Sequence, residues 1–164
     1  IISKYAKFLR NSFLQTKDFE TSLDDELVLV REYLDIEQLR NSDVLKYTID
    51  CQDNLKQIKM PKTLILNFVQ NAIKHGTRRQ SVNPQISIDC SKGKQHAILT
   101  VSDNGPGFTK QSKTPENIQQ GNHIISKMLK LYQELRGVKV SVYIEPAPDD
   151  SPETFTRVIV TIPT

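Results

Sequence analysis

Residues 64–76 read Leu-Ile-Leu-Asn-Phe-Val-Gln-Asn-Ala-Ile-Lys-His-Gly, which is the pattern of a helix with one wide apolar face. At about 100° per residue, the apolar side chains cover most of the helix circumference. They are Leu64, Ile65, Phe68, Val69, Ala72 and Ile73. Pro61 is expected in the first turn, where its missing N–H does no harm, and Gly76 at the C-terminal cap. The stretch therefore predicts a helix that is buried over most of its surface.

The remaining narrow stripe of this helix is polar. Asn67, Asn71 and Lys74 fall together on it, at spacings of four and three residues. A solvent-facing stripe explains any one of these residues alone. As a set they suggest binding, because an amide oxygen can hold a hard cation and a lysine can meet phosphate oxygens.

A second informative stretch is Asp103-Asn104-Gly105-Pro106-Gly107, which comes after the β-like run 97–101. A carboxylate at a strand end can accept a hydrogen bond from an amino group of a planar ligand. The two glycines allow backbone to approach that ligand, because they carry no Cβ. An ordinary turn is the alternative interpretation, since Asn-Gly and Gly-Pro pairs are common in turns.

Hydrophobic periodicity predicts the other elements of the chain. Helices are expected at 2–15, 22–40 and 122–136, and strands at 45–50, 85–89, 97–101, 138–144 and 156–162. Ser22 is expected to cap its helix, with Asp24, Asp25 and Glu26 in the first turn, where the helix dipole favours acidic side chains. Pattern alone supports the α+β class. Helices on one face of a mixed, mainly antiparallel sheet would make it a two-layer α/β sandwich.

The composition is that of a globular domain. The chain has 164 residues, of which 37% are hydrophobic and 25% charged, which suits one domain with its own core. The net charge of +3 is small and the basic residues do not cluster, so nucleic acid is not expected as a partner. No apolar run is long enough to span a membrane. Cys51 and Cys90 lack metal-binding or redox spacing and are expected to be reduced thiols.

The two informative stretches together resemble the N box and the first glycine box of the GHKL ATPases, the superfamily of gyrase, Hsp90, MutL and histidine kinases. Within it, the sequence is most similar to sensor histidine kinases of the LytS/YehU type. Three further segments carry the same resemblance: 23–27, 33–40 and 156–163. The resemblance covers nearly the whole chain and implies the Bergerat fold.

The resemblance implies an adenine site around the first glycine box. Asp103 would bind the amino group of adenine, and Gly105 and Gly107 would shape the loop beside the base. Thr156, on the last strand, is a weaker candidate that would support the contact between Asp103 and adenine. The cofactors implied are ATP and Mg²⁺.

The resemblance also implies a phosphate site on the helix. Asn71 would hold Mg²⁺, and Asn67 and Lys74 would contact phosphate directly or through water. The polar stretch 108–120 would be the ATP lid, and Gly121 a remnant of the second glycine box at its end.

The residue type at Asn67 favours phosphoryl transfer over ATP hydrolysis. In the hydrolytic relatives, a glutamate one turn before the magnesium asparagine acts as general base on water. An amide cannot take a proton at neutral pH, so the ATP is suited to transfer to another nucleophile. In a histidine kinase that nucleophile is a histidine, and none of His75, His96 and His123 has the His-x-x-x-Asn context of this subfamily's acceptor.

The expected parent protein follows from this resemblance. The chain begins at Ile1 rather than Met, which suggests a piece of a longer protein, with 1–21 as a linker helix after the acceptor segment and 22–164 as the ATP-binding catalytic domain. No catalytic residue is then expected in this chain itself. The expected partners are the upstream acceptor segment, a second copy of the parent as a homodimer, and a response regulator receiver domain. The domain would be cytoplasmic, with membrane contact only through a parent that is an inner-membrane sensor of a bacterium.

Some positions depart from the subfamily pattern. The second glycine box usually reads Gly-x-Gly, and here Gln119 replaces its first glycine. Asn122 and His123 stand where an aliphatic and a basic residue are usual, and Gln70 replaces a frequent glutamate. An alternative is therefore a degenerate GHKL domain that binds nucleotide weakly or not at all and serves in dimerisation or docking. An anti-sigma-type protein kinase is a third reading, but those proteins keep a glutamate at the position of Asn67.

Overall fold

The computed structural model describes residues 19–40, 44–76, 83–105, 115–145 and 155–164, without the side chains of 75–76 and 115–123. The elements in chain order are β1 (Glu20–Ser22), α1 (Leu23–Arg40), β2 (Lys46–Cys51), a short 3₁₀ helix (Asp53–Leu55), β3 (Lys59–Pro61), α2 (Leu64–Gly76), β4 (Gln85–Lys92), β5 (His96–Asp103), α3 (Pro115–Arg136), β6 (Ser141–Glu145) and β7 (Thr156–Pro163). The helix predicted at 2–15 lies outside the described residues.

Five of the strands form one mixed sheet in the order β2-β4-β5-β7-β6. Only the β2–β4 pair is parallel, and the other three pairs are antiparallel. The short strands β1 and β3 form a separate antiparallel pair. The architecture confirms the predicted α+β fold with a mixed, mainly antiparallel sheet.

The sheet buries one face and leaves the other open to solvent. Along the three inner strands β4, β5 and β7, alternate side chains are buried, as expected for a sheet covered on one side. They are Ile86, Ile88, Cys90, Ala97, Leu99, Val101, Val158, Val160 and Ile162. They join the apolar sides of the three helices in one continuous core. Cys51 and Cys90 are register partners across β2 and β4, and both thiols are free.

Helix α1 begins at the predicted cap. The Ser22 hydroxyl accepts the backbone N–H of Asp25 at 3.1 Å and donates to the Asp25 carboxylate at 2.6 Å. This satisfies one of the donors that a helix N-terminus leaves free. The predicted apolar stripe of Leu23, Leu27, Val30 and Leu34 is buried, and α1 packs against α2.

The predicted helix at 64–76 is confirmed, but the predicted place of Pro61 in its first turn was wrong. Pro61 does not lie in the first helical turn, because it belongs to β3 and is the register partner of Glu20 in β1. Proline is tolerated on such an edge strand, where its missing N–H is not needed. Lys62 and Thr63 form the turn between β3 and α2. The pair β1–β3 therefore fixes the chain directly before the first turn of α2. The sequence pattern does not reveal this pair.

The predicted start of α3 was also wrong. The helix begins at Pro115 rather than at Asn122, so residues 115–120 are helical and the predicted lid loop 108–120 is too long. A proline suits the first position of a helix, and Glu116 follows it in the first turn, where an acid is favoured. The first two turns are polar, so no apolar periodicity marked them. Residues 106–114 lie outside the described part of the chain.

The predicted boundary between a linker at 1–21 and a domain at 22–164 stays a prediction. Glu20 and Thr21 pair with β3, which ties the end of the proposed linker to the domain. The phenol O–H of Tyr132 on α3 also donates to the Glu20 carboxylate at 2.8 Å, and Arg136 lies 3.7 Å from it.

Candidate nucleotide site

The polar stripe of α2 is where the sequence predicted it. Asn71 and Lys74 are exposed, and Asn67 is half-buried one turn nearer the helix start. The opposite side of the helix is buried against the sheet and α1, and α2 packs on β4 and β5. The amide groups and the ammonium group therefore share the solvent-facing side of α2. This helix packs on the buried face of the sheet.

The side chain of Asn67 has a defined orientation. Its Nδ2 donates to the backbone carbonyl of Thr63 at 2.7 Å, and its backbone N–H contacts the same oxygen at 3.0 Å. Because the amide group is tied through its nitrogen, the carbonyl oxygen Oδ1 is the atom left to face a ligand.

Glu26 supports this helix from α1, and sequence reasoning missed it. Its carboxylate is buried and accepts backbone N–H groups of Thr63 at 2.8 Å, Ile65 at 3.0 Å and Leu66 at 3.2 Å. Burial raises the pKa of Glu26, while these hydrogen bonds and nearby Lys62 act in the opposite direction. A signal was available, since Glu26 lies on the apolar stripe of α1, three residues after Leu23, where a carboxylate needs internal partners.

The end of β5 forms the second part of the site. Asp103 is half-buried, and its Oδ1 accepts the backbone N–H of Gly105 at 2.9 Å. Thr156 is its register partner on β7 and is hydrogen-bonded to the same carboxylate. Burial raises the pKa of Asp103 from 3.8 to about 6, and the contacts with Gly105 and Thr156 partly offset this shift. The carboxylate keeps acceptor capacity beyond these two contacts.

Asn104 fixes the loop after Asp103. Its Oδ1 accepts the backbone N–H of Gln85 at 2.7 Å, and its Nδ2 donates to the carbonyl of Asn83 at 2.9 Å. The loop is therefore tied to the start of β4, which holds Asp103 and Gly105 in place. Sequence reasoning treated Asn104 only as a turn residue.

The structure thus brings Asp103, Gly105 and Thr156 together, and it aligns Asn67, Asn71 and Lys74 on a helix that packs against the strand bearing Asp103. Gly107 lies outside the described residues. Gly121 lies within α3, so the backbone there is helical. Their predicted contacts with nucleotide stay predictions.

The donor groups of the site are compatible with Mg²⁺. Within the described ranges, no cluster of three or more His, Cys, Asp or Glu side chains could hold a metal ion. Mg²⁺ does not require such a cluster, because it keeps most of its water and takes few protein oxygens when phosphates supply the rest. The exposed amide oxygen of Asn71 beside Lys74 fits that requirement.

The family of the chain follows from comparison with known proteins. Residues 56–164 match the family of histidine kinase-, DNA gyrase B- and HSP90-like ATPases. The chain belongs to this family, and ATP is the nucleotide that membership implies.

Within the family, two bacterial sensor kinases have sequences similar to this chain. Sensor histidine kinase YesM of Bacillus subtilis is 35% identical over 100 residues, which cover 61% of this chain and 17% of YesM. Sensor histidine kinase/phosphatase LytS of Staphylococcus aureus is 34% identical over 114 residues, which cover 67% of this chain and 19% of LytS. The matched region therefore spans less than a fifth of either relative.

Solved structures show the same fold. The catalytic domain of histidine kinase ThkA superposes with a TM-score of 0.60 at 17% identity, over 88% of this chain and 93% of that domain. The mycobacterial sensor histidine kinase MprB superposes with a TM-score of 0.61 at 13% identity, over 88% and 95% of the two chains. The fold is that of a histidine kinase catalytic domain. In the part of the chain that the structure describes, no helix has the length and apolar character needed to cross a membrane.

Proposed function

We propose that this chain is the ATP-binding catalytic domain of a two-component sensor histidine kinase. The nucleotide lies between α2 and the end of β5. The observation that carries this proposal is the Asp103 carboxylate, which is half-buried, fixed by Gly105 and Thr156, and still able to accept a hydrogen bond. Adenine offers an amino group for such an acceptor, in the plane of the base.

The phosphates lie along the polar stripe of α2. Asn67 presents Oδ1, which reaches phosphate through bound water, and Lys74 contributes a positive charge. Asn71 would contribute an amide oxygen to Mg²⁺. When bound, the metal neutralises phosphate charge, which is the main requirement of phosphoryl transfer besides positioning.

The domain positions ATP without activating water. Asn67 occupies the place of a general base, and its amide has no basic atom at neutral pH. The γ-phosphoryl group therefore goes to a histidine on a segment outside this chain, and from there to a response regulator receiver domain. The parent acts as a homodimer, in which a second copy supplies or receives the acceptor segment.

One observation favours a second candidate, a GHKL domain that has lost most of its nucleotide affinity and serves in dimerisation or docking. Gly121 and Gln119 lie in helical backbone, whose N–H groups are bonded within the helix. A helix there offers fewer free N–H groups to phosphate than a glycine loop would. The titrations described below distinguish the two candidates.

The magnesium role of Asn71 is tested with Asn71→Ala. We expect the affinity for a magnesium complex of a non-hydrolysable ATP analogue to fall about tenfold, and that for adenosine to change by less than about twofold, because adenosine has no phosphate for the metal to bridge. Both affinities are measured by calorimetry. Asn54→Ala, at an exposed asparagine in the 3₁₀ helix, is the matched control. Equal weakening for both ligands would mean a folding defect and would refute the metal role.

A further inference from the structure

Thr63, just before α2, has an unusual backbone conformation. Its φ is 62°, in the left-handed region that glycine normally occupies. A β-branched residue in this region is a genuine outlier, and such strain persists only where surrounding contacts hold it. Strained residues of this kind cluster at functional sites. The contacts that hold Thr63 therefore indicate what the strain achieves.

The Glu26 carboxylate holds Thr63 from both sides. Its Oε2 accepts the N–H of Thr63 itself, and its Oε1 accepts the N–H groups of Ile65 and Leu66. The N–H of Thr63 precedes the φ and ψ angles of that residue, and the N–H groups of Ile65 and Leu66 follow them. One buried carboxylate therefore restrains both angles. A negative group at the N-terminus of a helix is also favoured by the helix dipole.

The Thr63 carbonyl transmits this restraint to the site. Its oxygen accepts the Nδ2 of Asn67 at 2.7 Å, which sets the orientation of the amide. The direction of that carbonyl depends on the backbone angles of Thr63. A continuous path of hydrogen bonds therefore runs from Glu26 on α1, through Thr63, to the Asn67 side chain on α2.

We propose that Glu26 is a positioning residue of the nucleotide site, which holds Thr63 in its left-handed conformation and so aims the Asn67 oxygen at the water that links it to the phosphates. This inference rests on the proposed function, because it assigns Asn67 to phosphate. It adds a residue from α1 that does not touch the ligand.

The first test is Glu26→Gln, which keeps the size of the side chain and removes a buried charge, so we expect it to fold. The amide of the new glutamine has only one acceptor oxygen. Its NH₂ group must therefore face a backbone N–H, either at Thr63 or at the start of α2, and that N–H loses its hydrogen bond. We expect affinity for the magnesium complex of the ATP analogue to fall roughly tenfold, with adenosine affinity within about twofold of wild type. Glu32→Gln, at an exposed carboxylate on the same helix, is the control and is expected to bind as wild type.

The second test is rescue by Thr63→Gly in the Glu26→Gln background. Glycine adopts positive φ without strain, so the turn no longer needs the carboxylate to hold it. We expect the double variant to recover part of the lost affinity for the magnesium complex. If Glu26→Gln does not fold, Glu26→Asp, which keeps the charge on a shorter side chain, carries the same two tests.

The orientation of Asn67 is read directly from its side-chain NH₂ signals in NMR spectra of the full chain. We expect these signals to move in Glu26→Gln and to return towards wild type in the double variant, while those of Gln70 stay in place. Unmoved Asn67 signals, wild-type affinity in Glu26→Gln, or equal weakening for both ligands would overturn the proposal. If wild type binds no nucleotide, the proposed function fails, and the NMR result alone decides whether Glu26 positions Asn67.

Discussion

Replacing Asp103 by asparagine is expected to weaken adenine nucleotide binding by roughly 10- to 100-fold, because a buried amino donor loses its acceptor. The single carbonyl oxygen of the new side chain is required by the Gly105 N–H, which now contacts Asp103 Oδ1 at 2.9 Å. The NH₂ group is then left to face the amino group of adenine. Both groups are donors, so no hydrogen bond forms between them. Calorimetric titration with ATP measures the loss.

The same change should alter base preference. Guanine carries a carbonyl oxygen where adenine carries its amino group, and the Asp103 carboxylate repels that oxygen. An amide NH₂ can donate to it, so Asp103→Asn should reduce the preference for ATP over GTP. Asp89→Asn, at an exposed carboxylate on the open face of β4, is the matched control and should leave both affinities unchanged.

Asp103→Asn should also stabilise the folded protein at neutral pH. The pKa of Asp103 is raised to about 6 in the folded state, so the folded state binds a proton more readily than the unfolded state. The stability that this proton contributes is fully present below about pH 4 and is lost as the pH rises through about 6. The full shift is equivalent to about 3 kcal/mol. Since Asp103 retains some contact with solvent, we expect about 1 kcal/mol, or a rise in Tm of about 2–4 °C.

Thermal unfolding of wild type and Asp103→Asn from pH 4 to pH 8 tests the sign. The gain in stability should be present at pH 7 and should disappear at pH 4, where the carboxyl is protonated in wild type. A substitution that leaves ATP affinity intact, or that destabilises the protein equally at every pH, would show that Asp103 is a structural turn residue.

The second large effect concerns the reaction. On the proposed function, the chain should hydrolyse ATP at least about 100-fold more slowly than a longer parent that carries the acceptor segment transfers the γ-phosphoryl group to histidine, because Asn67 supplies no general base. The chain alone should not phosphorylate itself, since none of its histidines has the expected acceptor context. The parent's product should be acid-labile and base-stable, unlike phosphoserine. On the proposal that Gln119 replaces the first glycine of the second glycine box, we expect slow transfer, because lid closure positions the donor.

Radiolabelled ATP distinguishes these outcomes in one experiment, with the chain and the parent assayed side by side for released phosphate and for protein-bound label. Rapid release of phosphate by the chain alone would contradict the role given to Asn67. A parent that binds ATP and yet never becomes labelled would instead be a pseudokinase.

The sequence predicted the fold well where periodicity is strong. The apolar arc of α2, the stripe of α1 and the alternating strands β4, β5 and β7 were all recognisable, because each has enough residues to repeat its period. The pair β1–β3 was not recognisable, because strands of three residues separated by a whole helix have no period to detect. The polar start of α3 was missed for the same reason.

The candidate site was predictable only in part. Asp103, Asn67, Asn71 and Lys74 were predicted from residue type, spacing and the family resemblance, and their contacts with nucleotide stay predictions. Glu26 and Thr63 could not be assigned their contacts, because these depend on how α1 packs beside α2 and on one backbone angle. The place of Glu26 on the apolar stripe of α1 indicates that its carboxylate needs internal partners, but the local sequence does not identify them.

The proposed site for ATP lies between α2 and the end of β5. The most direct measurement is an NMR titration of the chain with the magnesium complex of a non-hydrolysable ATP analogue. We expect saturable shifts of the Gly105 backbone amide and of the side-chain amides of Asn67 and Asn71. The absence of these shifts at millimolar analogue, or saturable shifts confined to the open face of the sheet around Asp89, would contradict the proposed site.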